Sequence, residues 1–229
     1  MNDRQRRHNE RGQRVDVYMD AQAEAFPANG KGGVLAVRLK ELLAQVATLD
    51  VERAANARKR QQGTEGRDVA RTALRQMVKT VWNTHKTIAR DRPDTKGLFE
   101  SPSKIKNDQS LVTAARTYAD TAAPLTGLFA EYDLPPTFFA DLKARADTFD
   151  TYTTLQNAGV GASVDTGAAI EETLRQIDEV VERLHTVVTN KHHDNPARLA
   201  AWESARRVER SPRSKPKDDD PPQPLPANG

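Results

Sequence analysis

The residues best suited to chemistry in this chain are its five histidines: His8, His85, His185, His192 and His193. Glu182 and His185 form an E-x-x-H pair, the i, i+3 spacing that di-iron sites in helical bundles use. Such a site needs a second E-x-x-H pair and two further carboxylates, and the sequence has no second pair. We therefore interpret His185 as a histidine at the edge of a helical bundle, and we predict no metal and no other cofactor.

A second candidate for metal binding is the run His192-His193-Asp194, which lies just before Pro196. Three candidate ligands in one turn, with no fourth ligand, make a weak zinc site. The sequence therefore favours a polar turn at this position over a metal centre.

Paired carboxylates are frequent between residues 170 and 191, but their spacing indicates a solvated helix face. Glu171, Glu172 and Glu179 lie three or four residues from Arg175, where ion pairs along a helix are the ordinary arrangement. General acid and base chemistry would require burial to shift their pKa values. No Ser/His/Asp grouping is visible either, so the sequence contains no catalytic motif and predicts no catalytic residue.

The positive charge of the chain is concentrated at its two ends. Residues 1–14 hold five arginines against two acidic residues, and residues 198–217 hold seven Lys or Arg against two. Residues 15–197 carry 23 basic and 25 acidic side chains, so this part is close to neutral. The ends could contact phosphates without sequence preference, and the candidate residues are Arg4, Arg6, Arg7, Arg206, Arg207, Arg210 and Arg213. The other interpretation of these ends is that they are solubilising tails.

Cysteine content and hydropathy exclude several classes of protein. The chain has no cysteine, which excludes a disulfide scaffold, thiolate metal sites and a cysteine nucleophile. Its first thirty residues lack the apolar stretch of a secretory signal peptide, and no apolar run approaches the ~20 residues of a membrane helix. We expect a cytoplasmic protein with no membrane partner.

The elements that would position these residues are amphipathic helices, and the clearest runs from Ile170 to Lys191. Its apolar residues recur at alternating spacings of four and three, with charged residues on the opposite face. This pattern is typical of a helix packed in a bundle. The apolar stripe consists of Ile170, Leu174, Ile177, Val181, Leu184 and Val188.

The same spacing of apolar residues, alternately four and three, recurs in four other segments. Glycine or proline between the segments predicts where one helix ends and the next begins. We expect breaks after Pro27, at Gly63 and at residues 157–161, with Thr64 as the N-cap of a new helix. Residues 93–107 form a connection that is long for a compact domain, and we expect it to cross from one end of the bundle to the other.

Asp108 is expected to be the N-cap of another helix, which should have a kink where Pro124 removes a backbone hydrogen bond. The sequence thus predicts an all-α protein, an up-and-down antiparallel bundle of about five long helices with short flanking helices. We expect residues 15–210 to form one domain. Residues 1–14 are predicted to be a basic disordered or frayed arm, and residues 211–229 a disordered tail rich in Pro, Lys and Asp.

Two motifs resemble those of a family of uncharacterised bacterial helical proteins. NPARLAAWESARRVER (Asn195 to Arg210) resembles the end of these proteins, where a closing N-P-x-x-L-A-x-W-x-x-A-R motif recurs. DLPPTFFADLKARADTF (Asp133 to Phe149) resembles the family's helix that follows a G-[ML]-P-x-x-F-x-x-D-L turn, and the resemblance covers roughly residues 65–210. It implies an all-helical fold and carries no activity, since no function is known for that family.

The last expected helix begins with Asn195 as N-cap and Pro196 at its first position. On it, Leu199 and Trp202 either clamp the helix onto the bundle or anchor a partner chain. Long apolar stripes of this spacing bind helices of other chains as readily as helices of the same chain. We therefore predict a non-catalytic scaffold or protein-interaction module, which binds an unknown protein or a second copy of itself. The alternative is weak, non-specific binding of nucleic acid through the basic arms.

Overall fold

The structure, a computed structural model, describes residues 1–209. All regular elements in this part of the chain are helical, so the predicted all-α bundle class is confirmed. Three short 3-10 segments and several turns join the α-helices. These are α1 (Asp3–Ala21), α2 (Lys31–Asp91), α3 (Asp108–Ala122), α4 (Thr126–Ala130), α5 (Phe138–Lys191) and α6 (Pro196–Arg206).

The domain expected over residues 15–210 is divided between two compact units. Unit 1 consists of Met1–Ala47 and Glu171–Gly229, of which residues 1–47 and 171–209 are described, and unit 2 is Thr48–Ile170. Helices α2 and α5 each contribute residues to both units. Unit 1 also contains α1 and α6, whereas unit 2 contains α3 and α4.

The expectation of a frayed arm at residues 1–14 is wrong, because α1 begins at Asp3. The Asn2 side chain accepts a hydrogen bond from the Gln5 backbone at 2.8 Å, and the Gln5 side chain accepts one from the Asn2 backbone at 3.0 Å. This capping box satisfies two backbone N–H groups that a helix start leaves unpaired. The first turns lack an apolar stripe because their buried residues are Gln5, Arg11 and Gly12.

The breaks predicted at Gly63 and at residues 157–161 are also wrong, since α2 and α5 are continuous through them. Within unit 2 these helices run antiparallel and so close that a Cβ on Gly63 would lie 2.6 Å from the Gln156 nitrogen. Glycine therefore permits the approach of a second backbone here rather than a turn. Thr64 is not an N-cap, and its hydroxyl donates to the Arg60 carbonyl at 2.9 Å.

The loop between α2 and α3 carries the chain back along unit 2, as the predicted crossing requires. The Asp108 carboxylate, at the start of α3, accepts bonds of 2.7 and 2.5 Å from Arg71, twenty residues before α2 ends. Asn107 rather than Asp108 caps α3. The predicted distortion at Pro124 is confirmed, since a 3-10 segment, Ala123–Leu125, separates α3 from α4.

Each unit has its own buried apolar residues. The stripe of α5 from Ile170 to Val188 is buried as predicted. All of it except Ile170 belongs to unit 1, where the buried residues of α1, α2 and α6 include Val15, Met19, Leu35, Leu39, Leu42 and Trp202. In unit 2 one cluster connects α2, α3, α4 and α5, and its largest members include Leu74, Phe99, Tyr118, Phe129, Phe139 and Phe149.

Candidate functional site on helix α6

Helix α6 brings residues from the two basic ends of the sequence onto one surface of unit 1. It runs antiparallel to α1: the Tyr18 hydroxyl donates to the Arg198 carbonyl at 3.3 Å, and Arg14 donates to the Arg207 carbonyl at 2.6 Å. Its other neighbour is α5, which it contacts through His185. We call the surface between α1 and α5 that α6 covers, where Tyr18 and His185 contact Trp202, the α6 groove.

The local sequence explains why α6 begins where it does. The Asn195 side chain accepts a hydrogen bond from the Arg198 backbone at 3.1 Å, and Pro196 occupies the first turn, where its missing N–H costs nothing. Both features agree with the prediction. Of the eleven residues in α6 only Trp202 is buried, whereas Leu199 is half-buried.

Trp202 is the anchor of this helix. Its side chain is 0% exposed, and its ring centroid lies 5.3 Å from that of Tyr18 with a 60° angle between the planes. The indole Nε1–H donates to Nδ1 of His185 at 3.0 Å, and the two ring planes are within 7° of parallel. Because Nδ1 accepts this bond, the neutral His185 ring carries its proton on Nε2.

A network of charged groups surrounds the groove and links α1, α5 and α6. The Arg11 side chain, only 9% exposed, donates to Asp178 at 3.0 Å and to Glu182 at 2.7 Å. Glu182 also lies 3.9 Å from Arg206 of α6. The carboxylate of the E-x-x-H pair is thus engaged with arginines, and its histidine is engaged with Trp202.

The predicted phosphate-contacting arginines have different environments. Arg6 pairs with Asp3 at 3.0 Å, and Arg206 pairs with Glu203 at 2.9 Å. These acidic partners offset part of the positive charge that a phosphate would meet. Arg4 and Arg207 are exposed and Arg7 is half-buried, whereas Arg210 and Arg213 lie outside the described residues.

A shallow depression of about 690 Å³ lies beside this network. Its lining mixes both signs of charge with one hydroxyl and one apolar side chain: Arg11, Glu203, Ser204, Arg206, Arg207 and Val208. Such a mixed lining does not present a concentrated positive field to an anion.

The two histidines of the His192-His193-Asp194 turn lie in different environments. His192 is buried with its ring edge-on to Phe26 at 5.6 Å between centroids, and burial lowers its pKa below the ordinary histidine value. His193 is exposed and bonds to the Asn190 carbonyl at 3.1 Å. Among residues 1–209, no group of three or more His, Asp or Glu side chains is arranged to hold a metal ion.

Unit 2 contains a second depression, between the loop after α2 and helix α3. Its volume is about 910 Å³, and Trp82, Phe99 and Tyr118 contribute the aromatic part of its lining. The Tyr118 hydroxyl donates to the Glu100 carbonyl, and burial raises the pKa of Tyr118 to about 12. Of the apolar loop residues, Phe99 is buried, Leu98 is 45% exposed, and Ile105 is partly buried against the same apolar cluster.

Sequence reasoning missed the partners of Trp202. Nothing in the spacing of residues identifies His185 as its acceptor, because the two side chains are seventeen positions apart on different helices. The role of Arg11 was missed for the same reason: its carboxylate partners lie more than 160 residues later in the chain.

Comparisons of the chain with protein-family models, with curated proteins and with solved structures find no match. None of the helices in the described part combines the length and apolarity needed to span a membrane. The fold and the site together define a helical bundle that carries a short helix docked in a groove by one tryptophan.

Proposed function

We propose that this chain is a non-catalytic helical interaction module, and that the α6 groove is its binding surface. One observation carries the proposal: α6 occupies the groove as an amphipathic helix with a single fully buried side chain, Trp202. Grooves that accept an amphipathic helix through a few apolar anchors are a recurring mode of protein recognition.

The remaining contacts of α6 are of a kind that exchanges readily. Arg206 of α6 lies 3.9 Å from Glu182 of α5, with side chains 26% and 58% exposed, and such surface ion pairs contribute only about 0–1 kcal/mol. The Tyr18 hydroxyl bond to Arg198 is long at 3.3 Å. Trp202 is the one side chain of α6 that is fully buried, so we expect its burial to contribute more to the docking of α6 than any other single contact.

The occupant that we propose is the α6 helix of a second copy. The groove is complementary to this helix, because α6 already fills it in the chain itself. Residues 192–195 form a short connection between α5 and α6. Exchange of an identical element between two copies is a low-cost route to a dimer, since it repeats contacts that the monomer already makes.

A labelled synthetic peptide of residues 195–209, added to the full chain, tests this proposal. We expect saturable binding of the peptide, and a dimer fraction that rises with chain concentration in analytical ultracentrifugation. The matched control is the same peptide with Trp202→Ala, which should not bind. Equal binding of both peptides, or no binding with a monomeric chain at all concentrations, would overturn the proposal.

A further inference from the structure

We infer that protonation of His185 releases α6 from its groove, so that pH regulates the helix exchange described above. The inference rests on the proposed function, because it assigns a control to the same groove. Its basis is the pairing of the one buried anchor of α6 with a titratable acceptor.

The hydrogen bond between these two residues requires the neutral imidazole. Trp202 Nε1 can only donate, and His185 Nδ1 accepts its proton at 3.0 Å. Protonation would place a hydrogen on Nδ1, so that two N–H groups face each other across this distance. The Trp202 N–H, in a side chain that is 0% exposed, would lose its acceptor. A buried donor without a partner loses the full benefit of hydration, and this loss favours release of the helix.

The charged and polar groups around His185 do not offset the loss of the Trp202 hydrogen bond on protonation. On α6, Glu203 Oε1 lies 3.8 Å from Nδ1 and would attract a charged ring, but its side chain is 52% exposed and solvent screens it. On α5, the Thr189 hydroxyl lies 3.4 Å from the same nitrogen. On α1, Tyr18 faces Trp202, and Arg11 is bound to the carboxylates of Asp178 and Glu182.

Two other histidines of unit 1, His8 and His192, contact residues outside α6. We therefore expect release of α6 to depend on protonation of His185 and not on these two rings. His8 Nδ1 lies 2.7 Å from the Asp178 carboxylate, a contact between α1 and α5 that does not involve α6. His192 is buried with its ring edge-on to that of Phe26. Protonation of His185 is therefore expected to act on α6 through Trp202.

The first experiment follows the Trp202 indole N–H signal by NMR in the full chain between pH 7.5 and 5.5, the range in which histidines ordinarily titrate. The chain has two tryptophans, and Trp82→Phe assigns the signals. We expect the Trp202 signal to shift toward that of a solvent-exposed indole in the wild type. In His185→Asn, whose side-chain oxygen replaces the Nδ1 acceptor and does not titrate, the signal should not shift. The same shift in both proteins would overturn the inference.

The second experiment repeats uptake of the 195–209 peptide at both pH values. We expect about a tenfold faster uptake at pH 5.5 in the wild type and in His8→Asn, the factor that a lost buried hydrogen bond produces. His185→Asn should show no change. A Trp202 signal that depends on His185 without any peptide uptake would refute the proposed function and leave the pH control standing. Uptake that does not depend on pH, with an unchanged indole signal, would refute the pH control alone. If His185→Asn does not fold, as judged by circular dichroism, His185→Asp takes its place, since its carboxylate oxygen lies at the same position and an ordinary Asp stays ionised between pH 7.5 and 5.5.

Discussion

Gly159 of α5 lies against the backbone of Arg60 of α2, so closely that a Cβ on Gly159 would come within 2.8 Å of the Arg60 nitrogen. Gly161, two residues further along the same helix, faces open space. The two glycines therefore form a matched pair that differs only in what lies opposite. Their comparison separates the contribution of helix packing from that of helix propensity.

We predict opposite effects of alanine at these two positions. Gly159→Ala should lower the free energy of unfolding by about 1–3 kcal/mol, because the new Cβ cannot fit without separating the helices. Gly161→Ala should raise it by about 0.5–1 kcal/mol, because alanine loses less backbone entropy in a helix. Urea denaturation followed by circular dichroism measures both. Effects of the same sign would show that α2 and α5 do not approach each other in this way.

Removal of the α6 anchor should be costly. Trp202→Ala is expected to lower the free energy of unfolding by about 3 kcal/mol or more, as for other buried aromatic residues. Leu199→Ala, at a half-buried position of the same helix, is the control and should cost clearly less. Thermal unfolding gives the comparison. A melting temperature unchanged by Trp202→Ala would mean that this side chain serves an interface and not the fold.

His192 should make stability depend on pH below neutrality. Burial lowers the pKa of this group in the folded chain, so the folded state favours the neutral ring. The contribution of the neutral His192 ring to stability is fully present above the pKa of the unfolded state, about 6.5. It is lost as the pH falls through the lower pKa of the folded state. We expect the decrease in melting temperature between pH 7.5 and 5.5 to be smaller in His192→Leu than in the wild type. An identical decrease in both would contradict the assignment.

The ion pair between Arg71 and Asp108 should contribute to stability at neutral pH. Hydrogen bonds from the Arg71 guanidinium hold the pKa of Asp108 below its usual value. The contribution of the ion pair to stability is therefore present above the pKa of Asp in the unfolded state, about 3.9. It is lost as the pH falls through the lower pKa of Asp108 in the folded state. Asp108→Asn should cost about 1 kcal/mol at pH 7 in urea denaturation.

Asp68→Asn is the control for this pair. Asp68 binds the same guanidinium, with its side chain 55% exposed, and an exposed pair three residues apart on one helix contributes little. A larger loss for Asp68→Asn than for Asp108→Asn would show that the connection between α2 and α3 does not depend on Asp108.

The limits of prediction are visible within single helices. The four-and-three spacing in residues 70–88 predicts an inward stripe of Ala70, Leu74, Met77, Val81, Thr84 and Ile88. Four of these six residues are buried, but at the turns of Met77 and Thr84 the buried residues are Val78 and His85. A shift of the buried position by one residue at two turns leaves the helical period intact. The spacing therefore predicts the helix correctly but misplaces part of its inward face. His85 is inward because its Nε2–H reaches the Thr95 carbonyl at 2.8 Å, a partner in the following loop.

The sequence by itself determined the all-α class, the buried stripe from Ile170 to Val188 and the start of α6 at Asn195. These features depend on residue spacing and capping within a few turns, which are local properties of the chain. Only the tertiary structure decided that Gly63 and Gly159 lie inside continuous helices, because a glycine's role depends on which backbone approaches it. It also decided that Arg11 is buried and that Trp202 donates to His185. The partners of both side chains come from distant parts of the chain, and no local pattern specifies them.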